Sequence, residues 1–302
     1  MSTLQGLARR RRAVMSTERV MSAMKLMAGT RLRKLEASLE AAKKEARAFR
    51  RLVAGVRLMP ADVTLPFYAQ DKGKKPVWVV LGGDKGLCGS FHFQIFKAVQ
   101  QALTVTKTQP VLYVVGTRTA RMLRRLEAPV IDVQVWGRTS AEGMAAQVLT
   151  FLETEAKAEG LTGARVFATR FKNAFSQNVQ HETLVCLMKD LWCAQSAAVK
   201  HAPKGGRTAE ELDQAFVEVG RPAEPSATVF LQHAVRFYLY AILYQACVET
   251  RLCEESIRMS AMDNAARNSE ELLEAINLRY NQTRQMMITR ELIEVVSGAN
   301  AL

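Results

Sequence analysis

The chain has 302 residues, 48% of them hydrophobic and 24% charged, a balance that predicts one or two folded domains rather than disorder. Its formal charge of +13 invites a nucleic-acid or anionic-membrane reading, but most of the excess lies in residues 1–57, with 15 Lys/Arg against 4 Asp/Glu. The most apolar window, 229–248, carries Gln232, His233, Arg236 and Gln245, which excludes it as a membrane span.

The N-terminal segment opens on Arg9-Arg10-Arg11-Arg12, and no apolar stretch with a cleavage site follows, so no secretory signal is expected. Further along, Leu32, Leu35, Leu39, Ala42, Ala46, Phe49 and Val53 recur at alternating steps of three and four. That heptad rhythm predicts a long helix with a coiled-coil seam. Its basic residues are a solvated face or a surface that meets acidic loops of a partner protein.

The period then changes. Pro76 to Gly82 (PVWVVLG) and Pro110 to Gly116 (PVLYVVG) are continuous apolar runs closed by glycine, the pattern of central strands covered on both faces. Residues 130–135 and 165–171 read as further strands, and about 90–105, 117–127 and 140–159 as helices between them. This alternation predicts a Rossmann-like, doubly wound α/β domain with right-handed crossovers. An antiparallel edge strand is expected over 183–188. Residues 199–224 hold Pro203, Gly205, Gly206, Gly220 and Pro222, with Pro225 just beyond, and read as a linker.

Gly82-Gly83-Asp84-Lys85-Gly86-Leu87-Cys88-Gly89 follows the first strand, where dinucleotide-binding domains keep their phosphate loop. Its glycines are not spaced GxGxxG, and no GxxxxGK[ST] occurs anywhere, so a tight turn with close backbone packing is expected instead. His92, His181, His201 and His233 have no Cys or carboxylate at metal-ligand spacing, and His233 is expected at a core or interface position. The five cysteines lack metal-ligand spacing too, as suits a reducing compartment. No catalytic group, cofactor or metal is therefore expected.

From Ser226 to Ser297 neither Gly nor Pro interrupts the chain. Both disfavour helix interiors, so one very long helix is expected, too long for an ordinary domain to bury alone. Leu273, Ile276, Tyr280, Thr283 and Met287 repeat the 3-4 rhythm. Residues 226–302 hold 7 basic and 9 acidic side chains, opposite in sign to the N-terminal segment, which favours pairing. The expected architecture is a long antiparallel coiled coil of N- and C-terminal helices plus the α/β domain. It divides into 1–57 (helix), 75–198 (α/β domain), 199–225 (linker) and 226–302 (helix). Methionines gather on the two helices (Met15, Met21, Met24, Met27, Met259, Met262, Met286, Met287), adaptable packing for a seam or for changing neighbours.

Three blocks carry a resemblance to the gamma subunits of F-type ATP synthases. Val20 to Ala28 (VMSAMKLMA) is similar to that family's I-T-K-A-M-K-M-V-A signature, and Asp84 to Gly89 (DKGLCG) to its D-R/K-G-L-C-G motif. Arg258 to Asn268, Tyr280 to Gln285 and Ile288 to Ala299 resemble its C-terminal helix. The likeness extends over nearly the whole chain and implies a non-catalytic rotary shaft, coupling proton or sodium flow to ATP synthesis or hydrolysis on beta subunits. Implied partners are the alpha and beta subunits of the hexameric head, epsilon and the c-ring, with no nucleic acid. The implied location is the cytoplasmic face of the inner (plasma) membrane, as a peripheral protein.

By position, the resemblance places Met24 and Lys25 facing the catalytic subunits and Arg284 and Gln285 on a beta-subunit loop. It places the segment from Ile288 on, with Leu292, Val295 and Val296, in an apolar sleeve. Ser22 stands where the family has Lys, Gly29 where a helix former is expected, and His92 where Asn is usual. Two other readings stand beside this one. A basic coiled-coil nucleic-acid-binding protein would need stacking aromatics near the arginines, and Phe49 is the only aromatic before residue 67. A Rossmann-like nucleotide-binding enzyme would need the missing phosphate fingerprint.

Overall fold

The structure, a computed structural model, describes residues 4–55, 76–106, 109–126, 128–137, 139–158, 164–173, 176–183 and 227–299. They form five helices and five strands: α1 (Leu4–Gly55), β1 (Val77–Leu81), α2 (Phe91–Val105), β2 (Val111–Val115), α3 (Thr117–Leu123), β3 (Val130–Gln134), α4 (Ala141–Ala158), β4 (Ala164–Asn173), β5 (Ser176–Thr183) and α5 (Ala227–Ala299). The chain divides into two compact units, residues 1–31 with 255–302, and residues 32–254. Each long helix therefore contributes to both. The expected linker, 199–225, lies outside the described residues.

Helix α5 runs 73 residues without a break, about 110 Å at 1.5 Å per residue. The predicted seam of α1 is buried or half-buried from Leu32 to Phe49; the side chain of Val53 lies outside the described residues. The same alternation continues back through Ala28, Lys25, Met21, Glu18, Val14 and Arg11 to Leu7, all buried or half-buried. Sequence periodicity hides this extension because Lys25, Glu18 and Arg11 occupy seam positions.

In the first unit the two helices pair antiparallel. Arg11 lies over the Tyr280 ring at 5.1 Å, Met21 meets Ser269, Lys25 binds Asp263, and Arg31 reaches Glu255 at 3.4 Å, so numbers rise along α1 as they fall along α5. The C-terminal seam follows the predicted rhythm through Leu273, Ile276, Tyr280 and Thr283. It stops there, because Met287 is 44% exposed.

In the second unit one five-stranded sheet runs β3-β2-β1-β4-β5, parallel except for the antiparallel edge strand β5. Strand β1 is buried along its whole length, as its unbroken apolar run requires. Alternation sends Val77, Val79 and Leu81 to one face, where they join Met144, Val148 and Leu152 of α4 and Tyr238, Leu239 and Ile242 of α5 in one core. Trp78 and Val80 point to the other face, where Trp78 and Phe167 pack ring to ring at 5.0 Å. Phe91, Ile95 and Val99 of α2 and Ala120 and Leu123 of α3 are the buried apolar residues of the helices that cover it.

Two expectations need correction. The edge strand is antiparallel as expected, but it is already formed over Ser176–Thr183, seven residues ahead of the expected start at 183. Gln177 and Asn178, expected before it, pair within it against Phe171 and Arg170; 184–188 lie outside the described residues. A polar run next to β4 gives no period-2 signal, so the boundary was displaced. Of the core or interface position expected for His233, the core half does not hold: it is exposed, because α5 turns Ala234, Val235 and Tyr238 toward the sheet instead.

Gly29 sits mid-helix in α1, and a Cβ there would meet the Met259 sulfur at 3.5 Å, an ordinary contact. Gly29→Ala is expected to stabilise the chain by about 1 kcal/mol through helix propensity alone, read as a raised thermal unfolding midpoint.

Candidate functional site

In an open α/β sheet, ligands bind at the C-terminal strand ends where the strand order reverses. Here the reversal falls between β1 and β4. That crevice is filled by the chain's own helix. Gly83, just after β1, lies so close to α5 that a Cβ on it would fall 2.9 Å from the Glu254 carboxylate carbon. From β4, the Thr169 N–H donates to Thr250 Oγ1 at 3.4 Å and Arg170 pairs with Glu249 at 2.8 Å. After β3, buried Trp136 lies 5.0 Å beneath the Arg251 guanidinium and donates from its indole N–H to the Gly82 carbonyl at 2.7 Å.

The glycine-rich loop is the close-packed turn that its spacing suggested. Asp84 accepts from the Thr117 N–H at the start of α3 (2.8 Å), and His92 bridges Thr119 and the Lys85 carbonyl, each at 2.9 Å. His92 thus ties the loop to α3. Gly116, closing β2 at φ 106°, brings its backbone against Gly83, where a Cβ would fall 2.6 Å from the Gly83 nitrogen. Burial pushes the Cys247 thiol up to about 12 and Cys253 higher still, so neither supplies a thiolate. Among the described residues no cluster of three metal-ligating side chains occurs, and no helix is long and apolar enough to cross a membrane.

The other candidate residues lie on the paired helices, in two separate places. Met24 is half-buried against the seam and Lys25 is tied to Asp263, which Arg267 also holds at 3.0 Å. Ser22, in place of the family's Lys, donates to Glu18 at 2.9 Å. Arg284 and Gln285 lie 21 and 22 residues along α5 from Asp263, about 32 Å away, and both are exposed. Beyond them Ile288, Leu292, Val295 and Val296 are 45%, 60%, 69% and 57% exposed, with Met286 and Ile293 also uncovered. Sequence reasoning did not single out Val20 and Leu26, which stand exposed on α1 together with Met27. The signal for them was present: apolar residues off the heptad seam have no partner within the pair.

A monomer rarely shows so continuous an apolar strip. Together with a ligand crevice closed by its own helix, it defines a subunit of a larger assembly. The comparisons agree. A family model described as ATP synthase matches residues 3–302. The chain is 30% identical over 318 residues to the ATP synthase gamma chain of Synechococcus sp. (strain JA-2-3B'a(2-13)) and 26% identical over 303 residues to that of Pelotomaculum thermopropionicum, covering 100% of each and of itself. Its fold is similar to a chain of the Euglena gracilis mitochondrial ATP synthase, OSCP/F1/c-ring structure (TM-score 0.69, 16% identity, covering 99% of this chain and 94% of that one). The chain belongs to the ATP synthase gamma-chain family and has the central-shaft role of that family.

Gly83→Ala is expected to drive the Glu254 carboxylate out of its place and destabilise the chain by roughly 2–4 kcal/mol, measured by denaturant unfolding. The Asp263 carboxyl is held below its ordinary 3.8, first by the hydrogen bond from Lys25 and then by Arg267. A depressed carboxyl stabilises the fold above its unfolded value and loses that contribution as pH falls through the folded one. Wild type should therefore melt above Asp263→Asn at neutral pH, the two converging in strongly acid solution.

Proposed function

We propose that the chain is the non-catalytic rotor of an F-type synthase, turning inside a ring of alternating alpha and beta subunits. The observation that carries this reading is the uncovered apolar strip Ile288–Val296 at the end of α5, preceded by the exposed Arg284 and Gln285. A helix end of this composition suits an apolar sleeve, and a planar guanidinium beside it suits a bidentate grip on a carboxylate or loop carbonyls of a beta subunit. Met24 and Lys25 face the catalytic subunits lower on the same pair. Residues 1–57 and 226–302 act as the shaft, 75–198 as the body that meets epsilon and the c-ring, and 199–225 as the linker. The protein is peripheral, at the cytoplasmic face of the inner (plasma) membrane, and proton or sodium flow drives it.

The physical requirement on such a shaft is asymmetry. A partner that binds every conformation of the catalytic sites equally shifts none of them, so each orientation must favour one set of site conformations over the others. Arg284 is a means to that end, because its contacts form only in some orientations.

The experiment is reconstitution of the chain with its alpha and beta subunits. Arg284→Ala is expected to leave the helix and assembly intact, since Ala is the best helix former. Each lost hydrogen bond to a charged group costs about 1.5–3 kcal/mol, so ATPase and ion-driven synthesis should both fall severalfold or more. Complete assembly with unchanged rates in both directions would sink the role of Arg284, and failure of the wild-type chain to join alpha and beta subunits would sink the reading itself.

A further inference from the structure

In the second unit, α5 meets the sheet in two different ways. Ala234, Tyr238, Ile242 and Ala246 pack on it through apolar surface, which is non-directional and opposes rotation of the helix about its own axis only weakly. Between Glu249 and Glu254 the contacts become directional. Glu249, buried, is gripped by Arg170 at 2.8 Å and Thr250 accepts from the Thr169 N–H, both from β4. Arg251 lies over Trp136 beyond β3, and Glu254 is wedged against Gly83 beyond β1. At about 100° per residue these four positions spread over roughly 200° of the helix circumference. Contacts from β4 and from the turns after β1 and β3, on so wide an arc, resist turning in either sense.

We propose that Glu249, Thr250, Arg251 and Glu254 form a torsional key. They are positioning residues that stop α5 from turning against the sheet, so that torque on the α/β unit rotates the whole helix instead of slipping past it. The inference rests on the shaft reading above. Trp136 makes the key rigid, because its ring is pinned through the indole N–H to the Gly82 carbonyl. Glu249 is doubly held, since Gln245 also donates to it at 3.1 Å.

The test is made in the assembled complex, with the head immobilised and stalled by a non-hydrolysable nucleotide. A bead is attached through Val105→Cys, which is 83% exposed, with Cys186 and Cys193 replaced by serine; Cys88, Cys247 and Cys253 are buried. The readout is the angular variance of the bead. The double variant Glu249→Gln with Arg251→Met takes the charge from the Arg170 pair and the guanidinium from the Trp136 contact, weakening two of the four contacts, so the variance is expected to rise about twofold. Exchanging the ion pair, Glu249→Arg with Arg170→Glu, should leave the variance near wild type, and so should Ile242→Val, which thins only the apolar contact. Unchanged variance in the double variant, or an equal rise in Ile242→Val, overturns the key. If the double variant does not assemble, Arg251→Met alone, which keeps a stem over Trp136, is read the same way. Failure of the wild-type chain to assemble would count against the shaft reading instead.

Discussion

A helix of 73 residues with no internal break has apolar side chains to hide along about 110 Å, and the rest of the structure follows from how it does so. In the second unit α5 packs on the sheet, on α4 and on Phe49 of α1, and from Ala246 to Thr250 and from Leu252 to Glu254 every residue is buried. Beyond, one stripe is covered by α1 in the antiparallel pair. Past Thr283 nothing in the described chain covers it. Coverage thus falls from the buried stretch around Ala246–Thr250 to a single covered stripe and then to bare surface, and the composition follows. Aliphatic and aromatic residues give way to a Met-containing seam, and then to an apolar strip that only another protein can bury.

How much of this the sequence discloses depends on whether a local pattern or a long-range contact decides. The strands β1 and β2, the helix α2 between them and the unbroken α5 are legible because apolar runs, period and the absence of Gly and Pro are local signals. Leu32 to Phe49 was legible as a seam, but its continuation to Leu7 was not, since Lys25, Glu18 and Arg11 look like surface residues until their partners on α5 are known. The role of Gly83 lay beyond sequence as well. The group that a side chain on it would strike is Glu254, far along the chain, and no spacing rule links the two. The exposed strip at the end of α5 was reached through resemblance rather than pattern, and the structure supplies its physical content: the residues are apolar and bare.

The site that a Rossmann-like sheet offers to nucleotides and the surface that this chain offers to other subunits are therefore different places. At the first, polar and charged residues of α5 satisfy the strand ends. At the second, the apolar residues are left unsatisfied. A subunit that acts on others by position has this distribution of stability: rigid where the helix is anchored, uncovered where it meets what it must move.

The helix lodged in the crevice between β1 and β4 also behaves as a ligand that cannot leave. A soluble ligand stabilises its receptor only in proportion to its concentration, and dilution empties the site. Here Glu249 to Glu254 are tethered to the receptor by the backbone, so their effective concentration is fixed by geometry and the site stays saturated at any dilution. A fold whose strand ends elsewhere exchange small molecules with solution has, in this chain, been turned into a permanent self-complex.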